Sequence, residues 1–170
     1  MNRKTFYFSF LFFCLILIQV LICNNIKVFG YVNPYIYIAF IFVYPFKKNR
    51  FEILSLAFLL GLCIDSFSNS GGAHAFTTTF IAFLRPYFFR IIFQKTDVDY
   101  EFFKLNQEAF GKIFNFTVTL TFIHHFILFS LINFSFDNYL RVLSNTFLSG
   151  VFSLVVYFLG NFIFSRKQES

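Results

Sequence analysis

The chain has 170 residues, of which 58% are hydrophobic, 25% are aromatic and only 13% are charged. A soluble domain carries about twice that charged fraction, so too little polar surface remains to cover a folded soluble body, and the composition predicts an all-α integral membrane protein. The net charge of +6 is spread between apolar segments rather than gathered in one patch, which indicates membrane topology and no nucleic-acid partner.

Six apolar segments predict six transmembrane helices in a single polytopic domain over residues 1–170. The first segment, about residues 6–23, is too long for the core of a secretory signal and lacks a cleavage site, so we expect it to be retained. The second, about residues 31–46, places Pro34 in its first turn, where a missing amide proton costs little, and ends at Pro45. The remaining helices are expected at about residues 51–68, 73–93, 113–133 and 139–164.

The stretch Gln94–Lys112 separates the fourth and fifth predicted helices and carries mixed charges. Within it, apolar residues recur at helical spacing, which predicts a short interfacial helix that leads into the membrane. Its charges are typical of a solvated face, which we favour over a partner-binding surface.

Basic residues predict the orientation of the helices. With the N-terminus in the cytoplasm, only Lys27 and Arg141 lie at the opposite ends of the spans. Eleven basic residues then lie on the cytoplasmic side: Arg3, Lys4, Lys47, Lys48, Arg50, Arg90, Lys95, Lys104, Lys112, Arg166 and Lys167. The positive-inside rule therefore predicts that both termini are cytoplasmic and that the turn after the third helix faces outward. In a bacterium this turn would face the periplasm.

Arg85-Pro86 interrupts the apolar pattern of the fourth helix. We favour the interpretation that the helix leaves the hydrocarbon here, with Arg85 reaching the interface along its aliphatic stem. The alternative is a continuous, kinked helix with a buried arginine.

The turn between the third and fourth helices carries the candidate functional residues. Gly61, Asp65 and Ser68 recur at i, i+4 and i+7 on one helix face. Asp65 lies about 21 Å along the helix from its start, nearer the outer interface than the centre. Two interpretations stay open: the carboxylate binds the Ser68–Gly72 backbone and pins the turn, which we favour, or it contacts a partner or ligand. The full candidate set, a partner-contact or structural turn, is Gly61, Asp65, Ser68, Gly71, Gly72 and His74.

Glycines and histidines add two further expectations. Gly71 and Gly72 are expected to supply positive φ angles and a close approach of helices. His124 and His125 occupy the middle of the fifth helix, and adjacent helical side chains point about 100° apart, so they are poorly placed to share one metal ion. We therefore favour hydrogen-bonded interior histidines over a metal ligand or a proton relay.

Catalytic and cofactor-binding motifs are not recognisable in this sequence. Three cysteines, Cys14, Cys23 and Cys63, lie in apolar runs without a CxxC pattern and are expected to be packing thiols. An intramembrane enzyme would need a second acid or a metal cluster near Asp65 or His124. We therefore expect a non-enzymatic protein with no catalytic residue, cofactor or metal.

The pattern resembles the rod shape-determining MreD family. The resemblance consists of six spans, a cytoplasmic N-terminus, and the run Gly61-x-x-x-Asp65-x-x-Ser68 followed by Gly71 and a small-residue turn, with Leu143-Ser144-Asn145-Thr146 at the start of the sixth helix. It implies a component of the cell-elongation complex in the bacterial inner membrane, which helps to maintain rod shape and to position peptidoglycan synthesis. The implied partners are an MreC-type membrane protein, the lipid bilayer and, indirectly, MreB and the peptidoglycan synthases.

An alternative function follows from the fold of that family, which resembles the six-helix substrate-binding subunits of energy-coupling-factor transporters. The chain would then capture a vitamin or a metal ion. Such subunits usually dock their coupling protein through an Ala-x-x-x-Ala signature on the first helix, which is absent from Phe6–Cys23. We therefore favour the shape-determining function.

Overall fold

The computed structural model describes residues 3–26, 32–46, 49–95, 108–133 and 139–166, and in these ranges its regular elements are all helices. Five are long: α1 (Arg3–Leu21), α3 (Phe51–Ser68), α4 (Ala73–Phe93), α5 (Phe110–Ile132) and α6 (Tyr139–Arg166). The short helix α2 (Ala39–Val43) follows directly on a 3-10 turn at Ile36–Ile38.

The five long helices are each long and apolar enough to cross a membrane, which makes the chain a multi-pass membrane protein. The shortest of them, α3, has 18 residues and is about 27 Å long at 1.5 Å per residue, close to the thickness of the hydrocarbon core. Helices suit this environment because each backbone group finds its hydrogen bond inside the same segment. Many large apolar side chains of these helices are exposed and would face lipid.

The prediction of a second membrane-spanning helix over residues 31–46 is wrong in its extent. Within the described part of that range only Ile36–Val43 is helical, about 12 Å of helix, which is too short to span a bilayer. Pro45 explains where the helix ends. Tyr44 precedes Pro45 and adopts φ −60° and ψ 137°, since the proline ring disfavours helical geometry at the residue before it. Residues 33–35, around Pro34, are likewise not helical.

The short helix α2 lies in the centre of the protein. Tyr37, Phe40, Ile41 and Phe42 are fully buried and belong to the main hydrophobic cluster. Helices α1 and α4 contact α2, while α1 and α6 contact the 3-10 turn before it. Because protein rather than water surrounds this segment, the unpaired backbone groups at its ends need hydrogen-bond partners from neighbouring side chains.

Helix α4 runs without interruption through Pro86, and Arg85 is only 2% exposed. The favoured prediction, that Arg85 reaches the interface along its aliphatic stem, is therefore wrong, and the alternative of a buried arginine is correct. The Arg85 guanidinium donates hydrogen bonds to the carbonyl oxygens of Tyr44 and, at 3.4 Å, of Phe42, which end α2. It also lies 3.7 Å from the centre of the Phe46 ring. Arg85 thus caps the C-terminal end of α2, where a cation is favourable.

The predicted interfacial helix over Gln94–Lys112 lies largely outside the described residues. Helix α5 begins at Phe110, three residues before its predicted start. At the edges of the gap, Lys95 and Glu108 form an ion pair, which brings the end of α4 close to the start of α5. The described chain therefore continues antiparallel from α4 into α5, and α4 and α5 pack against each other.

Candidate functional site

Asp65 joins the last turn of α3 to the first turn of α4. Its side chain is buried, with 6% of the residue exposed. Oδ1 accepts a hydrogen bond from the backbone N–H of His74 at 3.0 Å, and Oδ2 accepts one from Ala75 at 2.8 Å. The first amides of any helix lack partners within the helix, and Gly72, which precedes α4, has no side chain to supply one. Asp65 therefore caps α4 from the neighbouring helix, with its negative charge at the favourable end of the helix dipole.

Two side chains complete the surroundings of this carboxylate. The Ser70 hydroxyl donates to Asp65 Oδ1 at 2.6 Å, and His74 Nδ1 lies 3.0 Å from the same oxygen and 2.8 Å from Ser70 Oγ. An ionised carboxylate only accepts hydrogen bonds, so Nδ1 of His74 carries the ring proton. The opposite nitrogen, Nε2, is then an acceptor with an available lone pair.

The expectation that Asp65 pins the turn describes this geometry, but the partners differ from the predicted Ser68–Gly72 backbone. The carboxylate instead contacts the Ser70 side chain and reaches further along the chain, to His74 and Ala75. Asp65 thereby fixes both the turn and the start of α4. Its two oxygens accept four hydrogen bonds, one from the turn and three from α4.

Gly61 is the residue at which α3 and α4 approach most closely in this junction. A Cβ atom on Gly61 would lie 2.5 Å from both Ala75 Cα and the carbonyl oxygen of His74, so no side chain fits without moving the helix backbone. Gly61 is one helical turn from Asp65, on the same face. The close contact at Gly61 therefore brings the amides of α4 within reach of the carboxylate.

Gly71 and Gly72 have φ angles of +63° and +91°, which confirms the predicted positive values. Asn69, before them, is also left-handed with φ +51°. A Cβ at either glycine would meet no atom within 4 Å, so the close helix approach that was predicted for this pair belongs to Gly61 instead. The two glycines serve the turn through their backbone conformation.

Ser68 lies outside the surroundings of Asp65. Its hydroxyl oxygen accepts a hydrogen bond of 3.0 Å from Asn24 Nδ2, just beyond the end of α1. Asn24 Oδ1 in turn accepts one of 2.9 Å from Gln19. Ser68 therefore connects the end of α3 to the segment that follows α1. Although Ser68 and Asp65 lie on the same helix face, they do not belong to the same site.

Gln19 is a fully buried amide that the sequence analysis did not single out. Its Nε2 donates to the carbonyl of Pro34 at 3.1 Å, and its Oε1 accepts from the N–H of Ile36 at 2.9 Å. The neighbouring N–H of Tyr35 donates to Ser153 Oγ of α6 at 2.7 Å. These contacts satisfy the backbone where the segment that contains α2 begins. The available signal was a lone amide in an apolar helix, a pattern that indicates an interior partner.

His124 and His125 are both fully buried in α5. His125 is hydrogen-bonded at both nitrogens, through Nδ1 to the carbonyl of Thr121 at 2.8 Å and through Nε2 to Ser153 Oγ at 3.1 Å. His124 Nε2 lies 2.9 Å from the hydroxyl of Tyr37. The prediction of bonded interior histidines is confirmed, fully for His125 and at one nitrogen for His124.

Tyr37 brings the histidines of α4 and α5 into one cluster. Its ring centre lies 5.9 Å from that of His74 and 5.4 Å from that of His124, while the two α5 histidine rings are 5.2 Å apart. We call Tyr37, His74, His124 and His125 the histidine–tyrosine cluster. Among the described residues, no group of three or more histidine, cysteine or acidic side chains has the arrangement needed to hold a metal ion. Within the cluster, the Tyr37 hydroxyl and His124 Nε2 are hydrogen-bonded to each other.

An apolar groove of about 600 Å³ opens beside the α3–α4 turn. Small residues line it at Gly72, before α4, and at Ala75 and Thr79 of α4. It is also lined by Leu54 and Phe58 of α3 and by several phenylalanines of α4. Small residues along a membrane helix let another helix approach closely.

Comparisons with protein-family models, with characterised proteins and with solved structures found no match to this chain.

Proposed function

We propose that the chain is a non-enzymatic scaffold of the bacterial cell-elongation complex in the inner membrane, of the kind that the resemblance to the MreD family implies. The observation that carries this proposal is the use of Asp65 as a cap. Gly61 and Asp65, which carry the resemblance, act together to fix the angle and spacing of two membrane helices. A fixed helix junction is what a protein that positions a partner requires.

The expected partner is an MreC-type membrane protein, with MreB and the peptidoglycan synthases engaged indirectly. The groove beside the junction supports this part of the proposal. The small residues that line it, Gly72, Ala75 and Thr79, offer a single membrane helix a close approach beside aromatic side chains. Asp65 would act on this surface indirectly, because the cap positions the first turn of α4, which supplies Ala75.

The test combines cell shape with capture of the partner. Depletion of the protein in its native host should round the cells. Full-length Asp65→Ala and Thr79→Phe variants should co-purify less of the MreC-type protein, because the first loosens the junction and the second fills the groove. Thr79→Phe leaves the hydrogen bonds of Asp65 in place and adds a ring to the lining of the groove.

The matched controls add or remove groups elsewhere. Ser66→Ala removes a hydroxyl that bonds only to its own helix at Leu62, and Leu131→Phe adds a ring to the exposed surface of α5. Both should retain the partner. Rod-shaped growth after deletion, with unchanged capture by the Asp65 and Thr79 variants, would refute the proposal.

A second candidate function is a substrate-binding subunit of an energy-coupling-factor vitamin or metal transporter. The observation that favours it is the histidine–tyrosine cluster, which places polar groups inside an otherwise apolar bundle. This function predicts that deletion lowers uptake of one vitamin or metal ion and leaves the rod shape intact. Uptake assays on the same deletion strain therefore separate the two candidates.

A further inference from the structure

Several buried polar atoms on three adjoining helices lack a hydrogen-bond partner within the described part of the chain, among them one atom on each of six histidine, threonine, serine and asparagine side chains. All six belong to side chains that are more than nine-tenths buried. Helix α5, which carries two of them, packs against both α4 and α6. The atoms are His74 Nε2, Thr121 Oγ1, His124 Nδ1, Asn145 Oδ1, Thr146 Oγ1 and Ser149 Oγ. We call these six side chains the polar seam.

The seam follows the helix periodicity. On α5, Thr121 lies one turn from His125, and on α6, Ser149 lies one turn from Ser153. His125 and Ser153 are hydrogen-bonded to each other at 3.1 Å, so the two rows meet across the α5–α6 interface. Thr121 and Ser149 therefore each lie one helical turn from this bonded pair, on the same side of their helices.

The two histidines define what a ligand of the seam must do. His74 donates through Nδ1 to Asp65, so its Nε2 accepts a hydrogen bond. His124 Nε2 is engaged with Tyr37, so its Nδ1 donates or accepts according to the tautomer. Both rings pack against the same tyrosine. A ligand of His74 must therefore donate a hydrogen bond, and one that can both donate and accept would satisfy His124 in either tautomer and the hydroxyls of α5 and α6 as well.

We infer that the polar seam binds ordered water, which bridges His74 to His124 and continues along Thr121 and Ser149. Water is the smallest molecule that donates and accepts, and buried waters typically make about three hydrogen bonds to groups that otherwise lack partners. Buried polar groups without a partner are rare in native proteins. The bound water would link the Asp65 cap to the α5–α6 interface by a continuous hydrogen-bonded path. This inference is independent of the proposed scaffold function.

The chain itself provides an internal control, because it contains only three histidines. His74 and His124 each have one free ring nitrogen, whereas both nitrogens of His125 are bonded to protein groups. Solid-state NMR of the full chain in lipid bilayers, with ¹⁵N-labelled histidine, resolves the three rings. Transfer of magnetisation from water should build up several-fold faster at His74 and His124 than at His125. Equal or slower transfer would overturn the inference.

A near-isosteric variant tests the extension of the seam. Thr121→Val removes the hydroxyl but keeps the backbone carbonyl to which His125 is bonded. We expect slower transfer from water to His124 and unchanged chemical shifts at His125, which show that the fold is retained. Unchanged transfer to His124 in this variant would overturn the path along Thr121.

Discussion

Replacing Asp65 with alanine should destabilise the protein by about 2–4 kcal/mol. Loss of a helix cap costs about 0.5–2 kcal/mol, and Asp65 accepts hydrogen bonds from two backbone amides of α4. The substitution also leaves Ser70 and His74 without their shared acceptor, and a buried donor without a partner costs about 1–3 kcal/mol. The total should be smaller than the sum of these contributions, because the turn can relax and Ser70, which is partly exposed, can bond to water instead.

Steric trapping of purified protein in bicelles measures this change as a free energy of unfolding. Ser66→Ala is the matched control on the same helix, because its hydroxyl is exposed and bonds only within α3. We expect the control to stay within about 0.5 kcal/mol of the natural protein. Asp65→Asn, which keeps one acceptor oxygen, should fall between the natural protein and Asp65→Ala. An Asp65→Ala protein as stable as the Ser66→Ala protein would refute the capping argument.

Three further substitutions test the other buried contacts by the same unfolding measurement. Arg85→Met should cost about 2–4 kcal/mol, since it strands the carbonyls that end α2; Arg50→Met, near the surface, should change little, and similar losses would argue against the cap. Gly61→Ala should lower the free energy of unfolding by about 1–3 kcal/mol, because the new methyl group meets the backbone of α4. Gly160→Ala is the control, since its methyl group meets no atom within 4 Å. Equal losses of stability in the two variants would contradict the close approach of α3 and α4 at Gly61. Ser153→Ala should cost about 1–3 kcal/mol by removing the acceptor of a buried amide, and a neutral result would contradict that contact.

The five long helices were predictable because bilayer thickness and backbone hydrogen bonding leave few alternatives for long apolar segments. The second helix was mispredicted because hydropathy alone does not distinguish a short buried helix from a membrane span. The spacing of Pro34 and Pro45 would have limited the length of the predicted helix. Ten residues lie between them, which make about 15 Å of helix, half of the hydrocarbon thickness.

Arg85 was placed at the interface because an isolated buried charge is costly. Its actual partners are the carbonyls that end α2, so its position follows only once that short helix is known. Asp65 was correctly connected with the turn, but spacing in the sequence does not show which amides a carboxylate will reach. Gly61 determines which amides Asp65 reaches, because the absence of a side chain lets the backbone of α4 come into van der Waals contact with α3.

The histidine–tyrosine cluster was beyond the reach of local pattern analysis. Tyr37 and His124 are 87 positions apart, and their hydrogen bond depends on the placement of α2 in the centre of the bundle. Their position in the middle of an apolar helix did indicate that the histidines lie inside the protein. It did not distinguish His125, bonded at both nitrogens, from His124, bonded at one.

Amide hydrogen exchange at the start of α4 tests the capping role of Asp65 most directly. In the structure, the backbone amides of His74 and Ala75 donate hydrogen bonds to this carboxylate. Residue-resolved exchange of the full chain in bilayers should show both amides protected in the natural protein and in Ser66→Ala. In Asp65→Ala, protection from exchange should fall at these two amides, while the amides in the middle of α4 should stay protected. Unchanged protection of His74 and Ala75 in Asp65→Ala would contradict the account.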